Sequence, residues 1–345
     1  MDSLSQIALG AAVGVAVMGC KTALWKAALM GAVVGTLPDL DVLISHGDPI
    51  RDMTLHRTES HALFYLTLVS PLFAWFIATI AREKHLFKHW WLAVWLVLIT
   101  HPLLDTMTIY GTQLALPFSD YPFGIGSVFI IDPLYTLPLL IGTVIALARK
   151  KFTGLRWNNI GLALSSGYLV WGLAMQFYVG TLADKAIAAQ GLAVEKRLVI
   201  ASPFNSLLWR IVAITPEGYA EGFYSLLDNN TQINFVEYPR GTDLYRLLDG
   251  NWEAERIAWF SHGYFKVSEH KGVISITDLR MGLEPYYTFT FAVAERSNQQ
   301  PNAPLDFITP QQVAPNINSE QSLQWLPQRL LGNTNQPLIE FLNTP

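Results

Sequence analysis

The chain has 345 residues, of which 51% are hydrophobic and 14% are charged, with a formal net charge of −4. An ordinary soluble domain has about 25% charged residues, so this composition argues against a plain cytosolic enzyme. It also argues against a disordered chain, which would be poor in apolar residues. The acidic balance gives no basic surface for nucleic acid. The single cysteine excludes a disulfide framework and a CxxC metal site.

The shortage of charge is confined to the first half of the chain. Residues 1–180 contain 10 acidic and 11 basic residues, whereas the shorter segment 181–345 contains 17 and 12. Mean hydropathy over the whole chain is +0.28. We therefore predict an α-helical multi-pass membrane domain of about six helices, followed by a mixed, mainly antiparallel β (α+β) soluble domain.

Apolar runs locate the membrane helices in chain order. A full span needs about 20 apolar residues. The third and sixth runs reach this length, and the fifth reaches it if Val128–Ile131 is added. The first two runs are shorter, and each carries a pair of glycines four residues apart that suits close helix packing. The six runs are Ile7–Cys20, Ala23–Leu37, Ala62–Ala81, Trp90–Leu104, Pro133–Ala148 and Ile160–Val179.

Loop charges predict the orientation. The first run is preceded by Asp2 and followed by Lys21, which is unlike a signal peptide, so we expect the N-terminus to be retained. Nine basic residues lie in alternate loops and therefore on one side, which the positive-inside rule makes the cytoplasm. Nine of the ten acidic residues of this half lie on the other side. We expect a bacterial cytoplasmic (inner) membrane protein whose C-terminal domain is on the outer, periplasmic side.

The second half changes from helical to strand patterns. Residues 1–180 form the predicted membrane domain, 181–197 a helical connector and 198–295 a β-rich soluble domain. A hairpin is predicted around His270-Lys271-Gly272. In the tail, 296–345, Asn, Gln and Pro are abundant, and we expect extended or short helical segments packed on the surface.

Ionisable residues gather at three helix ends on the predicted outer side. Asp39 and Asp41 follow the second run and could simply be solvated acids that end a helix. His101 and Asp105 close the fourth run at i, i+4 spacing, which places them on one helix face. The third cluster precedes the third helix and contains His56, Arg57, Glu59, Ser60 and His61.

Together these clusters predict a metal centre. Charged groups at the membrane edge are costly and default to a functional interpretation. Imidazole nitrogen with carboxylate oxygen and no thiolate suits zinc, with manganese as the second choice. Six candidate ligands allow one or two divalent ions. They are Asp39, Asp41, His56, His61, His101 and Asp105.

The same residues carry a family resemblance. The chain resembles the YdjM-type membrane-bound metal-dependent hydrolases over residues 1 to about 225, in the branch with an extra C-terminal domain. The chain departs from the family pattern at three positions: at Gln6, where the family often has His, and at Thr58-Glu59, where it often has Gly and an aromatic residue. The matching stretches are Met1-Asp2-Ser3-Leu4, Gly35–Asp41, His56-Arg57 with Ser60-His61, His101–Asp105 and Thr108–Ser119.

The resemblance implies a metal-dependent hydrolase, and its His-xxx-Asp pattern is distantly similar to that of zinc phospholipase C. The working hypothesis is hydrolysis of a phosphoester or lipid-linked substrate at the outer face of the membrane. In this scheme Arg57 stabilises negative charge on a phosphoryl oxygen, and Glu59, or a non-ligating Asp39 or Asp41, is the general base. The partners expected are the lipid bilayer and this substrate.

Two other functions stay open. One is a non-enzymatic membrane protein, structural, stress-related or a binding scaffold, whose metal site is structural and closed. The other is a transporter that uses the buried His–Asp pair. A transport function would require ionisable residues at mid-membrane depth, whereas in this sequence they gather at the ends of the predicted helices.

Overall fold

The computed structural model describes residues 1–149, 151–297, 304–315 and 319–342. By their internal contacts these residues form two compact units. The first comprises Met1–Ile44, Arg57–Ala174 and Pro203–Asn205. The second comprises Ser45–His56, Met175–Ser202 and Ser206–Pro345.

The first unit is helical, and its helices follow the predicted apolar runs. Two further short 3-10 helices matter for the site, Pro38–Leu43 after α2 and Glu59–His61 before α4. The helices of the first unit are α1 (Ser3–Met18), α2 (Leu24–Thr36), α4 (Leu63–Ile80), α5 (Phe87–Thr106), α6 (Pro133–Ala148) and α7 (Lys151–Ala189). Helix α7 continues from the first unit into the second, and α3 (Pro49–Leu55) lies in the second unit.

Two helices in the described ranges are long and apolar enough to cross a membrane, α4 and the 152–189 part of α7. The expected multi-pass arrangement of about six spans is therefore supported at two positions. Helix α6 has 16 residues and starts at Pro133, so Val128–Ile131 does not extend it as expected. Asp132 caps this helix instead, its carboxylate accepting a hydrogen bond from the Leu134 amide at 3.0 Å.

Helix α1 packs closely on α2 through the predicted glycine pairs. A Cβ atom added to Gly31 would lie 2.0 Å from the carbonyl oxygen of Gly10, and one added to Gly14 would lie 2.5 Å from that of Ala27. Only glycine allows backbones to approach this closely. This contact brings the start of α1 beside the end of α2, and both positions border the candidate site.

Helix α7 has 39 residues, which corresponds to about 58 Å, roughly twice the hydrocarbon thickness of a bilayer. The sequence predicted such an extension to about residue 196, but the helix ends at Ala189 and strand β1 starts at Lys196. The segment proposed as a helical connector therefore contains the end of a helix, a turn and the first residues of a strand.

Antiparallel strands dominate the second unit, as expected. One sheet has the order β1-β2-β3-β4, the other has the order β10-β9-β6-β5, and β7 and β8 form a small ribbon. The predicted hairpin is present, with Phe265 opposite Asp278 and His270 opposite Val273. The strands are β1 (Lys196–Ala201), β2 (Leu208–Ile214), β3 (Gly218–Ser225), β4 (Phe235–Pro239), β5 (Phe265–His270), β6 (Val273–Asp278), β7 (Gly282–Leu283), β8 (Tyr286–Tyr287), β9 (Thr290–Arg296) and β10 (Leu305–Gln312).

The described parts of the Asn/Gln/Pro-rich tail contain one strand and two short helices. Strand β10 joins the second sheet as an edge strand, and its register shifts between Phe307 and Gln311. Two short helices follow, α10 (Ser319–Leu330) and α11 (Leu338–Leu342), in the part of the chain for which short helical segments were predicted. The remaining helices of this unit are α8 (Thr242–Arg246) and α9 (Trp252–Phe260).

Helix α3 belongs to the second unit although it lies in sequence between the two 3-10 helices. It packs on α9, where Arg256 Nε donates a hydrogen bond to Thr54 Oγ1 at 3.0 Å. The Arg51 guanidinium lies over the Trp252 ring, 4.7 Å from its centroid.

Candidate metal centre

Three segments of the first unit bring two histidines and two aspartates together. Asp39 lies on the 3-10 helix after α2, where Pro38 occupies the first turn. His61 ends the 3-10 helix before α4. His101 and Asp105 are one helical turn apart on α5, as their i, i+4 spacing predicts. One ligand atom from each of the four lies within 4.8 Å of the others, and such a group could hold a divalent metal ion.

The four ligand atoms converge on a small volume. The Nε2 atoms of His61 and His101 are 3.2 Å apart. Asp105 Oδ2 lies 3.3 Å from the first and 3.4 Å from the second, and Asp39 Oδ1 lies 3.4 Å from each. The side chains of His61, His101 and Asp105 are buried, whereas that of Asp39 is 22% exposed. Asp39 therefore marks the opening of the group towards the surface.

Hydrogen bonds behind the histidines set the direction of their lone pairs. His101 Nδ1 is 2.7 Å from the carbonyl oxygen of Gly35, which can only accept, so Nδ1 carries the proton. His61 Nδ1 is 2.8 Å from Ser60 Oγ, which in turn donates to Asp41 Oδ2 at 2.6 Å. Both arrangements leave Nε2 as the free base, which is the usual second-sphere pattern of metal-binding histidines.

Asp41 is outside the four-residue group and supports it from behind. Its Oδ2 atom accepts hydrogen bonds from Ser60 Oγ and from the Arg57 amide at 3.0 Å, and it lies 3.5 Å from His61 Nδ1. Asp41 was predicted as a ligand. In the structure it instead orients His61, because Asp39 is the member of the pair that faces the other ligands.

The carboxylate of Asp105 divides its two oxygens between different partners. Oδ1 accepts a hydrogen bond from Gln6 Nε2 at 3.0 Å, lies 3.5 Å from Arg57 Nη1 and contacts the amine of Met1. Oδ2 is buried and has no hydrogen-bond partner, although both His Nε2 atoms are near it. A buried carboxylate oxygen without a donor is costly, and a cation at this point would satisfy it.

Arg57 is buried beside the group with a left-handed backbone, φ 65°. Its guanidinium lies over the Tyr110 ring at 5.0 Å, and its Nε and Nη1 atoms form no hydrogen bond. Its carbonyl oxygen accepts from the Gln113 amide at 3.0 Å, which ties the residue to the loop after α5. Arg57 lies next to the four-residue group, 3.5 Å from Asp105, and its catalytic role stays a prediction.

Two other predicted residues are not part of the group. His56 follows the last residue of α3, belongs to the second unit and is absent from the four-residue group. Glu59 is exposed on the 3-10 helix that His61 ends. Ser60 lies before the start of α4 at Leu63 and donates a hydrogen bond to Asp41.

The pKa values of the site reflect its mixed charges. Burial lowers the pKa of His61, but the neighbouring carboxylates of Asp105, Asp39 and Asp41 outweigh this effect and raise the pKa to about 9. For Asp39, burial raises the pKa, while His101 and His61 outweigh this and hold it well below the ordinary value. The group therefore already attracts positive charge before any ion enters.

Sequence reasoning did not assign two neighbours of the group. Gln6 on α1 donates to Asp105 and, at 3.2 Å, to the carbonyl oxygen of His101. Gly35 supplies the carbonyl that fixes His101. Gln6 could have been found as a buried amide at the start of an apolar run, but we had treated it only as a missing ligand. A backbone carbonyl leaves no signal in a sequence.

The helical half of the chain matches a known protein family. A family model described as YdjM inner membrane protein matches residues 1–180, a range that contains all four residues of the group. The chain is also similar to the uncharacterized protein YfhP of Bacillus subtilis (strain 168), with 24% identity over 310 residues, covering 85% of this chain and 90% of that protein. No solved structure matches the chain.

Proposed function

This chain belongs to the YdjM inner membrane protein family, and from this membership and its four-residue group we propose that it is a metal-dependent membrane hydrolase. Asp39, His61, His101 and Asp105 hold the metal ion, and the substrate is a phosphoester. The observation that carries the proposal is the convergence of the four ligand atoms within 4.8 Å on mostly buried side chains.

The donor set fits a divalent cation. The Nδ1 atoms of both histidines are engaged, so their Nε2 atoms face each other at 3.2 Å as two nitrogen donors that an ion can bind once His61 has lost its proton. The buried Oδ2 of Asp105 adds an oxygen donor. Two nitrogens and two carboxylate oxygens suit zinc, and manganese is the alternative. Gln6, Ser60 and Asp41 complete the surrounding hydrogen bonds. We propose one ion at this group; Asp41 and His56, which were predicted as ligands, are not needed for it.

When bound, the metal supplies a water of lowered pKa and a Lewis acid for the phosphoryl oxygen. The chain supplies the rest. Arg57 has unused N–H groups beside Asp105 and binds the phosphoryl oxygen on which negative charge develops. Asp41 and Ser60 hold His61 in the required tautomer. Glu59 is exposed and close in sequence to His61, and we retain it as the proposed general base that passes the proton to solvent.

The family places the protein in the bacterial inner membrane. We further propose that residues 1–180 cross it about six times and that the metal group and the soluble domain lie on the outer side. The support is the loop charge pattern, in which nine bases occupy one side and nine acids the other. Residues 198–295 with the tail would then form a periplasmic domain.

A closed structural metal site is the second candidate, and one observation favours it. Four protein ligands are the number found in structural zinc sites, whereas catalytic sites leave one position for water. In that case the protein would have no hydrolytic activity. An exchangeable water detected on the bound metal would support the hydrolase, and a fully protein-coordinated ion would support the structural site.

The direct test combines metal analysis with a phosphodiesterase assay on the purified full chain in detergent. The His101→Ala/Asp105→Ala variant is compared with His85→Ala/Asp120→Ala, which removes the same residue types outside the group. We expect loss of bound metal and of bis-p-nitrophenyl phosphate or phospholipid hydrolysis in the first variant alone. Full metal retention in that variant would refute the ligand assignment, and metal binding without turnover of any ester would favour the structural site.

A further inference from the structure

A row of exposed aliphatic residues follows directly after the most exposed ligand of the metal group. Val42 is 70% exposed and Leu43 is 80% exposed, and Leu40 and Ile44 are also exposed. We call the four exposed aliphatic residues Leu40, Val42, Leu43 and Ile44 the aliphatic lip. It lies on the same 3-10 helix as Asp39, where the group opens to the surface, or immediately follows that helix.

The aliphatic lip continues the apolar surface of α2. Trp25, Leu29 and Val33 are exposed on this helix at intervals of four residues, so they lie on one face. In a membrane protein such a face contacts lipid. Exposed apolar side chains therefore occur on one face of α2 and again on the 3-10 helix that follows it, from the residue next to Asp39 onwards.

A second group of exposed apolar residues lies near His61, at the start of α4, and begins with an aromatic pair. Phe118 is 80% exposed, and its ring meets that of Phe64 at 5.4 Å. Phe64 starts an exposed stripe on α4 that continues with Leu68 and Leu72. The loop that carries Phe118 is bound to the Arg57 carbonyl through the Gln113 amide.

This surface is poorly suited to a water-soluble ester. Between residues 62 and 81, next to His61, the sequence has no charged residue. Exposed apolar patches of this kind usually mark contact with a membrane or an apolar ligand. A substrate with a hydrocarbon chain would cover the aliphatic lip while its phosphate reached Asp39 and Arg57.

We propose, on the basis of the proposed function, that the substrate is a membrane lipid whose phosphoester enters beside Asp39 and whose hydrocarbon chain lies along the aliphatic lip towards the lipid-facing side of α2. The aliphatic lip thus selects for chain-bearing phosphoesters over soluble ones. Different residues recognise the hydrocarbon chain and the phosphate of the substrate. Their contributions to binding affinity can therefore be measured separately.

Alkyl phosphates of increasing length test this separation, with binding to the zinc-loaded full chain in nanodiscs measured by calorimetry. The probes are ethyl, butyl, hexyl and octyl phosphate. Each methylene that is fully covered strengthens binding about fourfold, so we expect octyl phosphate to bind at least tenfold more tightly than ethyl phosphate. The Val42→Ser/Leu43→Ser variant should lose most of this gain while binding ethyl phosphate normally.

The matched control is Leu137→Ser/Val144→Ser, which replaces the same two residue types at exposed positions of α6, a helix that carries none of the four ligands. This control variant should still bind octyl phosphate more tightly than ethyl phosphate, by the same factor as the wild type. Equal gains in both double variants, or no gain in the wild type, would overturn the proposal while leaving the hydrolase intact. Equal binding of ethyl phosphate to wild type and to His101→Ala would instead mean that the proposed function fails, and the lipid proposal with it.

Discussion

His61 and His101 face each other across the candidate metal centre with their Nε2 atoms 3.2 Å apart. Their Nδ1 atoms are both engaged, His101 with the Gly35 carbonyl and His61 with Ser60 Oγ. Two imidazoles fixed in this way cannot both donate to the other, so at least one nitrogen lone pair requires an acid, either a proton or a metal ion.

Metal binding should therefore stabilise the folded protein. We expect zinc at a hundred times its dissociation constant to add about 2.7 kcal/mol to the free energy of unfolding. Thermal unfolding with and without a chelator would measure this shift. The His101→Ala variant should show no metal-dependent shift and His85→Ala a normal one. A shift that survives in His101→Ala would place the metal elsewhere.

Ser60 and Asp41 should control metal affinity without binding the metal. Losing a second-sphere partner of a metal-binding histidine usually weakens metal binding by about 10- to 100-fold. We expect this for Ser60→Ala and Asp41→Asn, because each breaks the chain that orients His61. Asp120→Asn, an exposed acid, is the control. Competition with a fluorescent chelator gives the affinities, and unchanged values would remove the proposed role.

The apparent metal affinity should continue to rise with pH above pH 7, where the affinity of a site with ordinary histidines is already almost constant. The neighbouring carboxylates raise the pKa of His61 to about 9, so at neutral pH the metal must displace a proton from it. Because protonated His61 cannot bind, apparent affinity should increase about tenfold per pH unit as pH rises from 7 to 8.5. An ordinary histidine would give an almost constant affinity over this range. Titrations with zinc buffered by a chelator distinguish the two cases.

The glycine contact between α1 and α2 should be intolerant of substitution. A Cβ at position 31 would lie 2.0 Å from the Gly10 carbonyl oxygen, whereas one at Gly167 of α7 has no neighbour within 4 Å. We expect Gly31→Ala to destabilise the protein by about 1–3 kcal/mol and Gly167→Ala to be neutral or mildly stabilising. Unfolding in mixed micelles compares them. Equal stabilities would contradict the close helix contact.

Side-chain spacing explains part of the difference between the six predicted ligands and the four residues that converge in the structure. The His101–Asp105 pair follows from helical geometry, since i and i+4 share a face. Asp39 and Asp41 are two residues apart on a helix of three residues per turn, so their side chains point in different directions. Choosing between them requires the position of this short helix relative to His61 and His101, which the spacing within Pro38–Leu43 does not give.

Composition did not reveal that the tail contributes strand β10 to a sheet. Asn, Gln and Pro are rare in central strands, and for residues 296–345 we expected extended or short helical segments on the surface, without naming a strand. The strand is an edge strand, and Pro310 lies where its register shifts. Edges and bulges are the positions where a strand tolerates proline. The pairing partner, β9, was needed to recognise it.

The contacts of the segment Ser45–His56 determine how the C-terminal domain can be studied by truncation. It leaves the 3-10 helix of Asp39, packs on α9 through Thr54 and Arg51, and returns at Arg57, just before His61. A truncated chain that ends near residue 180 would keep all four ligands yet lose Trp252 and Arg256, on which this segment rests. Deleting the C-terminal domain is therefore not a neutral experiment, and point substitutions such as Arg256→Ala are the better way to ask what that domain contributes.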